Sequence, residues 1–178
     1  MEQLRRDGVA LAYQEAGSTA PPIVLVHDLG SDHTCFASQF EHFRCRHRVV
    51  PIDLRGHGQS DKPSQPYAVV LLADDLAWLC YELGLYRPVV LGRGLGGMVA
   101  LDLADRYQDL PAAIVATFPE HKADCLLEEV STSDLALATH GSVVPLLRVA
   151  FDIGGALPEG INVLVDEFLP KLAKQAPP

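Results

Sequence analysis

Unbroken apolar runs, rather than alternating ones, mark the first two thirds of the chain. Ile23–His27 (IVLVH), Arg48–Ile52 (RVVPI), Pro88–Leu91 (PVVL) and Ala112–Ala116 (AAIVA) are each short and rich in β-branched residues. Such runs suit strands buried on both faces of a parallel sheet. The segments between them switch to helical spacing. Ser31 or Asp32 is placed to cap a helix running to Phe43. Over Tyr67–Leu83, residues Leu72, Leu76, Leu79 and Leu83 share one stripe, and Gly96–Tyr107 reads as a third helix. Ahead of all these, Gly8–Glu15 (GVALAYQE) reads as a strand, with AGSTAPP as the turn after it. Asp53–Pro66 is a loop rich in Gly, Ser and Pro.

Beyond residue 117 the pattern is less regular. Asp124–Val130 reads as a short helix, and Leu135–Thr139 and Leu146–Phe151 as strands. Pro158–Lys174 is amphipathic, with Ile161, Leu164, Val165 and Phe168 as its stripe. Pro158 suits a first turn, while Pro170 would kink or divide the helix. Only residues 140–145 separate the last two strands. A parallel crossover needs about a dozen residues, so these strands are not parallel neighbours.

Alternating β and α units predict an α/β fold. The expectation is a mostly parallel sheet flanked by helices on both faces, in one domain over 1–178, with the C-terminal third contracted. Ligands of such sheets bind beyond the carboxyl ends of the strands. The candidates there are His27, Asp28, Asp53, Gly92–Gly96, Glu120 and His121.

The formal net charge of −9 and the pI near 5.1 argue against a phosphate-backbone binder, so no nucleic-acid partner is expected. The four cysteines, at 35, 45, 80 and 125, include no C-x-x-C pair, and no metal or cofactor is expected. The opening MEQLRRDG has no apolar signal region, and no stretch approaches the ~20 residues of a membrane span. The expected location is cytoplasmic, with reduced thiols. An apolar sheet edge or face left open by the contracted C-terminal third would favour a homodimer.

The chemistry centres on VVLGRGLGGMVAL, residues 89–101. Gly92, Gly94 and Gly97 have the G-x-G-x-x-G spacing that cradles a dinucleotide pyrophosphate, and Glu120 roughly fills the acidic position that motif needs. Gly92 and Gly96 are also the outer glycines of G-x-S-x-G, with Gly94 where the serine would stand. The neighbouring segments favour the second pattern. VLVHDLG (24–30), VVPIDLRGHGQSDKP (49–63) and VVLGRGLGGMVALDLADRYQDLPAAIVA (89–116) resemble, in order and spacing, three segments of the α/β-hydrolases. These are the oxyanion loop, the D-x-R-G-x-G-x-S loop of the esterase, haloperoxidase and epoxide-hydrolase branch, and the nucleophile elbow with its helix.

The resemblance implies ester or lactone hydrolysis by an elbow nucleophile, a late histidine base and an acid. Gly94 cannot supply the nucleophile, and no other G-x-S-x-G, G-x-C-x-G or G-x-D-x-G occurs in the chain. The family's histidine falls near Phe151 and its acid near Ser142, so both look lost. The oxyanion donors are backbone N–H groups, here of Leu29 and Leu95, and survive any side-chain change. Asp28 replaces a usual glycine and would repel a developing oxyanion if it points inward. Arg93 stands at a common His or aromatic position beside the nucleophile. Residues 118–134 correspond to the remnant of the family's cap.

Plainer roles compete with functional ones at each position. His27 orders its loop, His57 packs within its own, Asp53 and Arg55 pair locally, and Glu120 and His121 sit on a solvated loop. The expected function is therefore a hydrolase-like protein with weak or no serine-hydrolase activity, taking a small ester, lactone or carbonyl ligand. The first alternative is an active hydrolase using His27, Asp28, Glu120 or His121. The second is dinucleotide binding through the glycines.

Overall fold

The computed structural model describes residues 1–120, 127–128, 146–152 and 160–173. The chain opens with a hairpin. Asp7 and Gly8 both take positive φ (49° and 83°), the backbone that two-residue hairpin turns require. The turn joins β1 (Glu2–Arg6) antiparallel to β2 (Val9–Tyr13). The single strand expected over Gly8–Glu15 is thus the second arm of a pair. The first arm has no apolar pattern, being largely exposed.

The remaining strands are β3 (Ile23–Val26), β4 (Val49–Ile52), β5 (Val89–Arg93), β6 (Ala113–Glu120), β7 (Leu127–Glu128) and β8 (Leu146–Asp152). They form one sheet in the order β1-β2-β4-β3-β5-β6-β8-β7. The strands from β4 to β8 in that order run parallel, and β2 and β7 pair antiparallel at the two sides. Leu127–Glu128 is therefore strand, not part of the short helix expected over Asp124–Val130. Residues 118–120 complete β6. The strand expected over Leu135–Thr139 lies outside the described residues.

Among the described residues, four helices flank the sheet: α1 (Ala37–Phe43), α2 (Val69–Glu82), α3 (Leu95–Arg106) and α4 (Gly160–Ala173). A 3-10 turn, His33–Phe36, leads into α1, and Asp32 caps it by accepting from Thr34 N at 2.9 Å. Successive strand residues point to opposite faces and feed two cores. Ile23, Leu25, Val49, Val89 and Leu91 pack with Phe36, Phe40 and Phe43 and with Ile161, Val165 and Leu169 of α4. Val24, Val26, Val50, Ile52 and Val90 pack with Leu72, Leu76 and Leu79 of α2 and Val99 and Leu103 of α3. Both faces are covered, which is why these strands read as continuous apolar runs.

In register, Val26 lies opposite Ile52 on one side and Gly92 on the other. The carboxyl ends of β3, β4 and β5 therefore finish level, and the loops that follow them meet at one edge. The loop after β4 is tied to α2 by Arg55, whose Nε and Nη2 each lie 2.7 Å from an Asp75 carboxylate oxygen. Arg6 adds a third bond to Asp75 at 2.9 Å. Arg55 thus reaches across to α2, not to its neighbour Asp53. Both side chains of this pair are nearly inaccessible, so losing one strands the other. Asp75→Ala is expected to cost about 3–5 kcal/mol, read from guanidinium denaturation midpoints. A loss below about 1 kcal/mol would mean water reaches the pair freely.

Candidate functional site

The elbow forms because α3 is pressed against the sheet. A Cβ on Gly96 would run into the Val26 carbonyl oxygen, and one on Gly92 into the carbonyl of Gly96. Only glycine at both positions allows β5 to turn so sharply into α3. The turn itself falls on Gly94, with φ 50° and ψ −111°, a backbone that glycine adopts without strain. Gly94 N donates to Thr117 O at 2.8 Å, and Gly94 O accepts from Met98 N at 3.1 Å. At Gly97 an added Cβ would sit 3.1 Å from the Phe118 ring, a neighbour able to give way. The packing demand therefore falls on Gly92 and Gly96, and the third glycine of the dinucleotide spacing is the least constrained.

This geometry leaves Leu95 N–H as the first amide of α3, with no partner inside the helix. The partner comes from the loop after β3. Asp28 Oδ1 accepts from Leu95 N at 2.8 Å and from Leu29 N at 2.7 Å. The carboxylate points inward, and the helix N-terminus favours the negative charge it finds there. It also fills the space of a residue-94 side chain, because a Cβ built on Gly94 overlaps the Asp28 carboxyl group. The missing side chain at 94 and the carboxylate at 28 thus occupy one place.

Below this layer the buried polar residues satisfy one another. His27 is fully buried. Its Nε2 accepts from Leu54 N at 3.0 Å, which fixes the tautomer so that Nδ1 donates to Asp28 O at 2.7 Å. Both ring nitrogens are committed to backbone, tying β3's end to β4's. Burial lowers the His27 pKa, the Asp28 carbonyl opposing the shift. Asp53, also buried, accepts from His33 N and His33 Nδ1 on Oδ1, at 2.7 and 2.8 Å, and from Gln59 N on Oδ2 at 2.8 Å. The expected Asp53–Arg55 pairing is replaced by this Asp53–His33 one. His33, the first residue of the 3-10 turn, is a half-buried part of the site's floor. The N-cap character of Asp32 was the available signal, since it turns the next residue back toward the sheet.

Asp32, His33 and Asp53 offer ligand atoms within 4.8 Å of one another, the arrangement among the described residues best suited to a cation. Those atoms are already hydrogen-bonded: His33 to Asp53, and Asp32 to Thr34. Arg93 is half-buried at the end of β5. The half-buried Cys35 thiol is pushed up by burial, against hydrogen bonding from Ser31 and the charge of Arg93. Glu120 closes β6 in register with Asp152 of β8, and Phe151, near the expected base position, lies opposite Pro119. His121 and Ser142 lie outside the described residues.

Comparison with known proteins gives a consistent result. The profile of the α/β hydrolase fold family matches residues 21–137. Epoxide hydrolase 3 of Xenopus tropicalis is 30% identical over 122 residues, 67% of this chain and 33% of that protein. An esterase from Thermogutta terrifontis superposes with a TM-score of 0.62 at 31% identity, over 70% of this chain and 48% of its own. A serine-to-glycine variant of an N-acyl homoserine lactonase, crystallised with N-hexanoyl homoserine lactone, gives 0.61 at 28% identity, over 65% and 44%. The chain spans about a third of the length of the curated relatives it matches. Among the described residues no helix is long and apolar enough to cross a membrane.

The depressed His27 pKa makes stability depend on pH. The folded state resists protonation that the unfolded chain accepts below the ordinary imidazole value of 6.5. Stability is therefore complete above that value and falls as pH drops toward the folded pKa. His47, lowered by burial too, adds to the same window. His27→Gln should show a shallower loss of denaturation midpoint between about pH 7 and pH 5 than the parent. Equal slopes would show that His27 is protonated in the folded protein.

Proposed function

This chain belongs to the α/β hydrolase fold family, and from that premise we propose that it is a member with serine-type acyl transfer absent or strongly reduced. What carries this is the double hydrogen bond to Asp28 Oδ1. The two amides that would stabilise an oxyanion, Leu29 N–H and Leu95 N–H, already hold an anion of the protein's own. Position 94 has no hydroxyl to attack with, and a substrate carbonyl entering the pocket would meet a negative charge. His27 has no free ring nitrogen for a base role. The ligand class is a small ester, lactone or carbonyl compound, in keeping with the esterase and lactonase among the structural neighbours.

The two obstacles are coupled, and this makes them testable. Gly94→Ser restores a hydroxyl but forces its Cβ onto the Asp28 carboxylate, at a φ that costs an L-residue about 1–3 kcal/mol. Asp28→Gly with Gly94→Ser removes the overlap and frees both amides. Fluorophosphonate labelling and p-nitrophenyl acetate hydrolysis read the outcome. The parent should be unlabelled, and the double variant should exceed Gly94→Ser by about a hundredfold, the scale of a working oxyanion donor. Labelling of a serine in the parent would overturn the proposal. Equal rates in single and double variants would show that Asp28 is not the obstruction.

A further inference from the structure

We propose that a cavity at the amino-terminal end of β5 binds a free aromatic amino acid in its zwitterionic form. It lies at the opposite end of that strand from the elbow, and five residues of strand separate the two by roughly 17 Å. The end of α2 builds its floor. That helix closes on Gly84, at φ 59°, with Leu85 N donating to Cys80 O at 2.9 Å and Gly84 N to Tyr81 O at 3.1 Å. This pair of bonds is the Schellman arrangement, and it folds Leu85 back under the last turn. Leu85, Cys80 and Leu110 are buried and give an apolar base, and the cavity above them has a volume of about 310 Å³. Small-molecule sites run from about 300 to 1,000 Å³, so this one suits a ligand the size of a single amino acid.

The chain enters β5 through a strained residue. Arg87 takes φ 47°, and it stands before Pro88, whose ring favours extended backbone in the residue ahead of it. A long charged side chain is thus held where glycine would be at ease, and it lines the cavity. The loop after α3 comes alongside, with Ala112 N donating to Pro88 O at 2.8 Å, and brings Asp109 into the same lining. Arg87 and Asp109 are both exposed, and neither is ion-paired with the other or with any other described residue. Tyr81 and Tyr86, 62% and 83% exposed, also line it and offer faces for a third ring to stack on. The two charges select the ligand. A carboxylate alone would be held by Arg87 but repelled by Asp109, and an amine alone the reverse. An ammonium and a carboxylate on one carbon answer both, and leave the ring to the apolar floor. A neutral ester or lactone carries neither charge, so this site is separate in ligand class as well as in place from the elbow.

Amide shifts of the ¹⁵N-labelled whole chain, followed through a titration with L-tryptophan, test the site. Saturable shifts are expected at Gly84, Leu85 and Leu110, with the Leu29 and Leu95 amides unmoved. Tryptamine and indole-3-propionate each lack one charge and should bind about fivefold more weakly, the scale of one ion pair near the surface. Asp109→Asn should hold L-tryptophan and indole-3-propionate alike. Arg87→Gly relieves the backbone, so its denaturation midpoint should rise while its affinity for L-tryptophan falls. An arginine with a merely structural role would lower the midpoint when removed. Absence of saturable shifts in the folded parent overturns the proposal. So do shifts at Leu29 and Leu95 in place of Gly84 and Leu85, tryptamine binding as tightly as L-tryptophan, or undiminished binding by Arg87→Gly.

Discussion

The site depends on how closely α3 approaches the sheet. Gly92 and Gly96 bring backbone against backbone, with the first turn of the helix resting on the Val26 carbonyl. In an interior packed at crystal-like density there is no slack to absorb even one methyl group there. Given that contact, the chain has few ways to leave β5 and enter α3, and it takes the left-handed turn at Gly94. The helix must then start at the strand ends, with its first amide facing the loop after β3. The position of Asp28 follows from the placement of Leu95 N–H.

Around that contact, the loops at the carboxyl edge of the sheet are held by polar side chains whose bonds run to backbone or to other elements. His27 joins two strand ends, Asp53 gathers the 3-10 turn and the loop after β4, and Arg55 fastens that loop to α2. A loop edge rich in charge would ordinarily be mobile. Here His27, Asp53 and Arg55 are each satisfied by neighbours, and leaving any one unpaired would carry a full desolvation penalty. Asp28 joins this scheme from above, capping α3 and closing its own turn with the same oxygen.

Much of the architecture was legible because burial on both faces writes itself into composition. β3, β4, β5 and β6 are continuous apolar runs, and the leucine stripe of α2 is intact. The hairpin arm β1 was not legible, since an exposed edge strand needs no apolar residues; only Asp7-Gly8 announced it. β7 is two residues long, too short for any period to register. The pairing of Asp53 failed for a different reason. Nearness in sequence suggested Arg55, but the strand directs its end residue and the loop after it to different sides, so a residue twenty positions earlier became the partner. At Asp28 the residue type was plain while its direction was not. Whether that carboxylate faces solvent or the elbow depends on where α3 begins, and only the folded chain decides it.

The overlap between Asp28 and a side chain at position 94 also has a historical consequence. Serine at 94 and a carboxylate turned inward at 28 exclude each other sterically, so substitutions at the two sites cannot be accepted in any order. A chain that has glycine at 94 is free to take aspartate at 28. Once it has, a one-step return to serine meets an occupied space, and the carboxylate must turn away or leave first. That intermediate would lose the cap on α3 before it gained a hydroxyl. The carboxylate thus acts as a ratchet on the sequence, holding open a course of divergence that the glycine alone would have left reversible.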